Sequence, residues 1–550
     1  MIGVDFGTST SLLARSTALR NAVIPLGRLN RWVPSIAGLE GFDWYLCDEA
    51  SGLPETQIVR SAKRLITQRK PTARVSDGQQ IVEVSADEVI VSILRHLVDL
   101  ADGEFLDLTM AGEVRLGCPA MWDGSQRQRL VELANRAGID VGSATVIDEP
   151  IAAGVEWVQQ RVAAGVEIVG KVVVFDMGGG TLDVAVLNVN AGPRRDPAIS
   201  VQSAVGIDQA GDSLDEALAD QLELLMSQAG LNIAQRPDAD ELRGWLRHAA
   251  RSAKVELTRL RETRVVVGHP SVDFPAVSLS REELDDRFRP QLEKAIEEIW
   301  HALRSALMAQ VKSPTNPVST TISEARSASE EMLAENLTAV ILAGGMARVP
   351  LVQNRVAEIF GADRVFLGTG EDTVDDLIAL GLANDTSYER MNLHRPGFDF
   401  VIEWGDDSGI AAGEQLVYPA YLPLYSAQSA IQTNSAKYRS DSHTWAAPQR
   451  GEGLLKVRAA NGDPVSFRLD GHEIEGVRFR FGYRQAIVTL EPSGRVFIRD
   501  SQGYETSLRI AQWPVIRGRG DEALLIESVG DEVRKYPRVE DLPWHLKPYD

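Results

Sequence analysis

Two stretches of this chain end an apolar strand on an aspartate and then turn on small residues: IGVDFGTSTS at residues 2–11 and VVVFDMGGGTLD at 172–183. The triple glycine is the tighter constraint. Gly178, Gly179 and Gly180 have no side chain to pack and give up more freedom on folding than other residues. A turn of that kind serves something that needs bare backbone. Phosphate groups do, because they require convergent N–H donors at close approach. Gly7 opens the first turn in the same way, and Thr8, Ser9 and Thr181 add hydroxyl donors. Asp5 and Asp176, unsuited to touching phosphate, suit Mg²⁺ or its water shell. Either turn alone also reads as an Asp-Gly hairpin; the pair points to two related halves facing each other.

Around these turns strands and helices alternate, an α/β signature. SADEVIVSILRHLVDLA opens with a capping box, Ser85 and Glu88, and sets Val89, Ile93, Leu94, Leu97 and Val98 on one helical stripe. DGSQRQRLVELANRAGI is a helix expected to stop at Gly138, and Pro150 suits the first turn of the helix that follows ATVID. Residues 212–260 are mostly helical, and a second capping box, Ser280 and Glu283, opens a long helical region. Residues 313–337, rich in Ser, Thr and Pro, read as a mobile surface insertion. The buried-looking strand LTAVILAGG then supplies another Gly-rich approach at Gly344 and Gly345, fit for a nucleoside. Beyond about residue 385 the texture becomes short alternating strands, expected to be antiparallel, with EPSG as a hairpin turn.

A chain of 550 residues exceeds one core, so two to four domains are expected. Its formal charge of −21 disfavours nucleic acid and anionic membrane as partners, since both need a basic face. Cys47 and Cys118 are expected as reduced core thiols. The eight histidines show no metal-ligand spacing. The start MIGVDFG carries no basic-then-apolar leader, and no apolar run reaches the ~20 residues of a membrane span. A cytoplasmic protein is the expectation. RGD at Arg519–Asp521 carries no adhesion reading without a leader.

With both turns and AGGMARVP in this order, the chain resembles the actin-like ATPase superfamily, and within it the DnaK-like (heat-shock seventy) chaperones. SAKRLI (Ser61–Ile66), CPAMWDGSQRQ (Cys118–Gln128), IDEPIAAG (Ile147–Gly154), AGDSLDEAL (Ala210–Leu218) and SAKVELT (Ser252–Thr258) look like segments of that ATPase domain. The resemblance spans about residues 1–385. It implies a two-lobed actin-like fold, a duplicated ribonuclease H-like unit, followed by a divergent β-rich domain over 386–550.

The resemblance also implies roles. Lys63 would orient the attacking water and offset charge on the γ-phosphoryl. Asp5, Glu149, Asp176 and Thr181 would surround Mg²⁺ and that water, with Asp183 assisting. Lys254, Thr258, Gly344, Gly345, Arg348 and Asp375 would hold the adenosine of ATP or ADP. Pro119 and Arg127 match a relay from nucleotide to domain interface; without the resemblance they read as a strand terminator and a solvated helix residue. Met346 stands where the family usually has Ser, and the family's acidic, leucine-rich linker and helical lid are not visible. The implied function is an ATP-hydrolysing, nucleotide-switched chaperone-like protein with an unidentified protein or peptide client and a possible co-chaperone. An actin-like filament or scaffold ATPase and a small-molecule kinase remain alternatives on the same fold.

Overall fold

A computed structural model describes residues 1–17, 21–110, 113–142, 145–309, 322–368, 374–386, 388, 395–405, 411–423, 438–440, 451–459, 464–480, 486–490, 495–500, 505–512 and 523–528. The first lobe is built on β1 (Ile2–Phe6), β2 (Thr10–Ser16) and β3 (Asn21–Ile24), with β4 (Val33–Pro34) paired to β2. The hairpin β5 (Ala37–Glu40)–β6 (Asp43–Leu46) pairs with β7 (Ile58–Val59), and a short 3-10 turn, Glu55–Gln57, precedes β7. Next come α1 (Ala62–Thr67), the hairpin β8 (Thr72–Ser76)–β9 (Ile81–Ser85), α2 (Ala86–Gly103), β10 (Val114–Cys118), α3 (Gly124–Ala137), β11 (Val146–Asp148) and α4 (Glu149–Ala163).

The second lobe starts with β12 (Ile168–Met177), β13 (Leu182–Gly192) and β14 (Arg195–Ile207). It continues through α5 (Gly211–Gln228), α6 (Ala239–Leu257), the hairpin β15 (Glu262–Val265)–β16 (Val277–Ser280) and the long α7 (Arg281–Ala309). Then follow α8 (Ile322–Ser327), α9 (Glu330–Glu335), β17 (Leu337–Ala343), α10 (Pro350–Phe360), β18 (Val365–Leu367) and α11 (Leu377–Ala383).

The two main sheets repeat one design. Strand order is β3-β2-β1-β10-β11 in the first and β14-β13-β12-β17-β18 in the second. In each, the first three strands pair antiparallel and the last two join parallel. The two-halves expectation is therefore met. The helix that ends each half crosses to the other: α4 packs on β12 and β13, while α11 packs on β1, β2 and β10, and the two helices pack on each other. Bare backbone makes this possible. A Cβ at Gly381 would overlap the carbonyl of Ala152, and one at Gly3 would overlap that of Ala379.

Local signals were mostly realised. Gly138 ends α3 at φ 98°, and Pro150 lies in the first turn of α4. Ser280 and Glu283 form a full capping box. At Ser85 only half the box exists, because its hydroxyl accepts from the Glu88 amide while the Glu88 carboxylate turns to Arg136. The expected mobile insertion is in part ordered. Its first portion, 313–321, lies outside the described residues, but α8 and α9 pack against α7 and bury Ala325, Ala328 and Leu333. Few apolar residues sufficed, since a long helix already offered a face.

Both cysteines are free and buried, as expected. No helix among the described residues is long and apolar enough to cross a membrane.

Beyond residue 395 the described chain is all strand and turn. β19 (Phe398–Trp404) and β20 (Gly413–Tyr418) begin an eleven-stranded sheet around Phe398, Phe400, Tyr418, Phe467 and Phe479. Its pairings are antiparallel except for Pro464–Leu469 with Ala523–Ser528, which run parallel. The EPSG turn lies outside the described residues, although the strands on either side of it pair antiparallel. RGD also lies outside them. The junction is not a bare tether: Tyr388 is buried in a core of the second lobe, and Arg395 donates to the carbonyls of Ala120, Met121 and Tyr421.

Candidate functional site

The β1–β2 and β12–β13 turns meet across the cleft between the lobes. A Cβ at Gly180 would lie 2.7 Å from the Thr8 hydroxyl oxygen, and one at Gly179 would overlap Ser9 Oγ. Gly179 and Gly180 are thus crowded by the opposite turn, whereas a Cβ at Gly178 would meet only the Thr181 carbonyl oxygen at 3.8 Å. Gly344 (φ 77°) closes a third side, where a Cβ would lie 2.5 Å from Asp176 Oδ1 and from the Met177 carbonyl oxygen.

Under the turns sits a buried ionic cluster. Asp5 is the last residue but one of β1, Asp176 and Asp183 are directly paired across the β12–β13 hairpin, and Glu149 opens α4. All four are buried, and among them Lys63 of α1, only 2% exposed, pairs with Glu149 and lies 5.9 Å from the Trp122 ring centroid. Met121 N–H donates to Asp183 Oδ1 at 3.2 Å, and Thr181 also hydrogen-bonds Asp183. Burial, with the Glu149 charge added, pushes Asp5 and Asp183 up to about 7. The same causes hold Asp176 well above the usual carboxylate range. Burial alone would pull Lys63 down, but Glu149 and Asp5 reverse it and keep the ammonium charged.

Four carboxylates around one ammonium leave an excess of buried negative charge, which a divalent cation would balance. Asp176 Oδ1 and Asp183 Oδ2 are buried without hydrogen-bond partners, which is how oxygens awaiting a cation or its waters would stand. No cluster of three or more Asp, Glu, His or Cys among the described residues forms a direct metal cage. The residues therefore fit Mg²⁺, which keeps several waters and binds through one or two carboxylates plus phosphate oxygens.

The raised carboxylates set a sign for stability against pH. Between the ordinary Asp value of 3.8 and about 7, the folded chain holds protons that the unfolded chain has released. Stability of the nucleotide-free protein is therefore expected to fall as pH rises from 4 to 7. Urea midpoints at pH 5, 6 and 7 check this. Asp183→Asn should flatten the fall, and a midpoint that rises in parent and variant alike contradicts it.

The adenosine-side residues are only partly gathered. Arg348 follows β17 in the 3-10 turn Gly345–Arg348 and donates to Asp375 at 2.9 Å; the Asp375 charge in turn reaches Asp5. Lys254 Nζ lies 2.7 Å from Asp215 and donates to the Gly211 carbonyl, beside Gly178 and Gly179. Thr258 is half-buried and turns its hydroxyl back onto the Val255 carbonyl of its own helix. Met346 is buried in the second-lobe core.

A family model described as Hsp70 protein matches residues 1–385. The chain belongs to the Hsp70 family. Its relatives include the chaperone protein DnaK of Thermosipho melanesiensis, 27% identical over 490 residues, covering 86% of this chain and 73% of the relative. DnaK of Thermotoga maritima is 29% identical, covering 80% of this chain and 67% of its own length. A chaperone protein HscA homolog of Variovorax paradoxus is 27% identical, with 68% and 49% covered. This Hsp70-family chain thus carries an N-terminal ATPase domain, and the DnaK alignments are longer than the stretch matched by the family model.

Several site residues escaped the sequence reading. Asp212, at the start of α5, takes Ser61 Oγ at 2.6 Å, Arg64 at 3.4 Å and Arg251 at 3.2 Å. Ser61 and Arg64 belong to the first lobe, so this is a tie across the cleft. Glu55 makes another, pairing with Arg60 and with His248 Nδ1 of α6 at 2.8 Å. Burial alone would push Glu55 up, but the hydrogen bonds from Arg60 and His248 bring it down to about 2. Such partners lie up to 193 positions apart; SAKRLI and AGDSLDEAL flagged the segments of Ser61, Arg64 and Asp212, and nothing in the sequence flagged Glu55 or His248. Arg127 is not solvated: it is buried, pairs with Asp148 at 2.5 Å and lies 3.9 Å from the Tyr421 ring centroid.

Proposed function

We propose that this Hsp70-family protein binds and hydrolyses ATP with Mg²⁺, and that nucleotide state sets how tightly its lobes close. The observation that carries the reading is the facing pair of turns above four buried carboxylates and one buried lysine. Convergent backbone N–H groups of both turns would receive the β- and γ-phosphates. Bound Mg²⁺ supplies charge neutralisation at the phosphate oxygens. Asp5 and Asp176 would hold its water shell. Lys63, kept charged by its neighbours, would orient the attacking water and offset charge at the transferring phosphoryl. Asp183, raised to about 7, is placed to accept a proton from that water through the Thr181 hydroxyl. Gly344, Gly345, Arg348 and Asp375 would hold the adenosine from the β17 side, with Lys254 on the glycine-loop side.

We also propose that residues 1–385 form the ATPase domain and that 386–550 form a β-rich domain binding a protein or peptide client. Two contacts support coupling between them. Arg395 grips the carbonyls of Ala120 and Met121, and the Met121 amide holds Asp183; Tyr421 stacks on Arg127. A change at Asp183 therefore has a short covalent and hydrogen-bonded route to the β-rich domain. Family membership favours a chaperone over a filament or a kinase. A cytoplasmic location and a co-chaperone belong to the same proposal.

The test is release of a fluorescent unfolded peptide from the full chain. The reading expects ATP with Mg²⁺ to speed release at least five-fold over ADP, with no change in light scattering. Equal release rates in ATP and ADP contradict the client role, and ATP-dependent scattering supports filament assembly instead.

A further inference from the structure

Ser61, two residues before Lys63, is an L-residue in the left-handed region, at φ 52° and ψ 41°. That conformation persists only where surroundings hold it. Ser61 stands at the N-cap of α1, where a serine side chain normally accepts from its own helix. It makes no such bond. Its hydroxyl instead crosses the cleft and donates to Asp212 Oδ2 at 2.6 Å. Asp212 is fixed to the glycine turn by its own backbone, since its N–H donates to the Gly179 carbonyl at 2.7 Å, and the neighbouring Gly211 N–H donates to Gly178. Arg64 and Arg251 hold its carboxylate from either side.

These bonds form one path from the glycine turn of the second lobe to the helix of the first lobe that carries Lys63. We propose that Asp212 is a positioning residue for Lys63. Through Ser61 it holds the chain ahead of α1 in the left-handed conformation, so that the helix presents its lysine to Glu149 when the lobes are closed. An open cleft breaks the Asp212–Ser61 bond, lets Ser61 relax, and draws Lys63 out of register. Hydrolysis is thereby tied to closure by backbone conformation, with neither Ser61 nor Asp212 touching the reacting atoms. The proposal rests on the reading of Lys63 as the hydrolytic lysine.

Glycine supplies the decisive comparison, because it adopts φ near +50° without a Cβ penalty. Single-turnover hydrolysis and ATP affinity are measured for the full-length parent, S61A, S61G, D212A and K63A. S61A keeps the Cβ penalty of a positive φ but loses the bond that holds the residue there. It should hydrolyse about ten-fold more slowly with ATP affinity within two-fold of parent. S61G should recover most of that loss. D212A should slow hydrolysis in the parent, and S61A should add less than two-fold to it, since the contact that S61A removes is already lost. S61A at the parental rate, or S61G as slow as S61A, overturns the proposal. If S61A folds poorly by thermal melting, S61G and D212A carry the comparison alone, with D212A at the parental rate the overturning result. K63A separates the two layers. Lost hydrolysis in K63A with an unimpaired S61A sinks only the positioning role, whereas K63A at the parental rate removes the reading beneath it.

Discussion

Lys63→Ala is expected to retain ATP and to lose its hydrolysis, by roughly 100-fold or more in single turnover. Affinity should survive because, on the proposed reading, most phosphate donors would be backbone amides of two turns that the substitution does not touch. The rate should not, because Lys63 is the only ammonium among the four buried carboxylates of the cluster. Removing it takes away the charge that would face the transferring phosphoryl and leaves Glu149 without its ion-pair partner. An uncompensated buried carboxylate is costly, so the nucleotide-free variant should also unfold at lower urea than the parent. The carboxylates can take up protons to soften that cost, so the stability gap should widen as pH rises. Rapid-mix single-turnover assays, with ATP affinity from calorimetry, check the result. Parental turnover would remove Lys63 from the mechanism.

The second large effect belongs to the contact between α4 and α11. Gly381→Ala is expected to destabilise the protein by about 3 kcal/mol. Two terms oppose each other here. Alanine is the better helix former by about 1 kcal/mol, and α11 would gain that. The added methyl, however, would overlap the Ala152 carbonyl of α4, and that partner is backbone in the middle of a helix. A side chain can rotate away; a helical carbonyl cannot without moving the helix. The clash wins. Because α11 also lies on β1 through Gly3, the shift should reach Asp5 and slow hydrolysis along with lowering the urea midpoint. An unchanged midpoint would mean that α4 and α11 separate at no cost, which the packing of their backbones forbids.

Much of the fold was readable from local pattern, and the reasons are specific. VVVFD and VILAGG announce buried strands by their unbroken apolar runs, because both their faces are covered. Pro150, Gly138 and the Ser280–Glu283 box mark helix ends through bonds that need only a few residues. Where a partner lay far off, the pattern was silent or misread. Glu88 was expected to cap its own helix, yet Arg136, 48 positions away, takes its carboxylate. Arg127 reads equally as a solvated helix residue, yet Asp148 and Tyr421 bury it. The segment with few apolar residues around α8 and α9 read as mobile because composition reports what a segment carries, not the face that α7 offers it.

The site divides in the same way. The residue types that make the two small-residue turns are local, so the turns at Gly178–Thr181 and Gly7–Ser9 were legible in the sequence alone, and the structure sets them face to face. The family was legible there too, through motifs in a fixed order. Only the tertiary structure decided which charges face which. It gathered Lys63, Glu149 and Asp183 from three elements into one water-poor cluster, where burial raises the carboxylates and makes each charge felt by the others. It also joined Ser61 to Asp212 and Arg395 to the Met121 carbonyl across gaps of 151 and 274 positions. Backbone conformation and short-range capping depend on neighbours in the chain, and a sequence carries them. Electrostatic coupling depends on distance in space and on exclusion of water, and both exist only after the two halves have folded against each other.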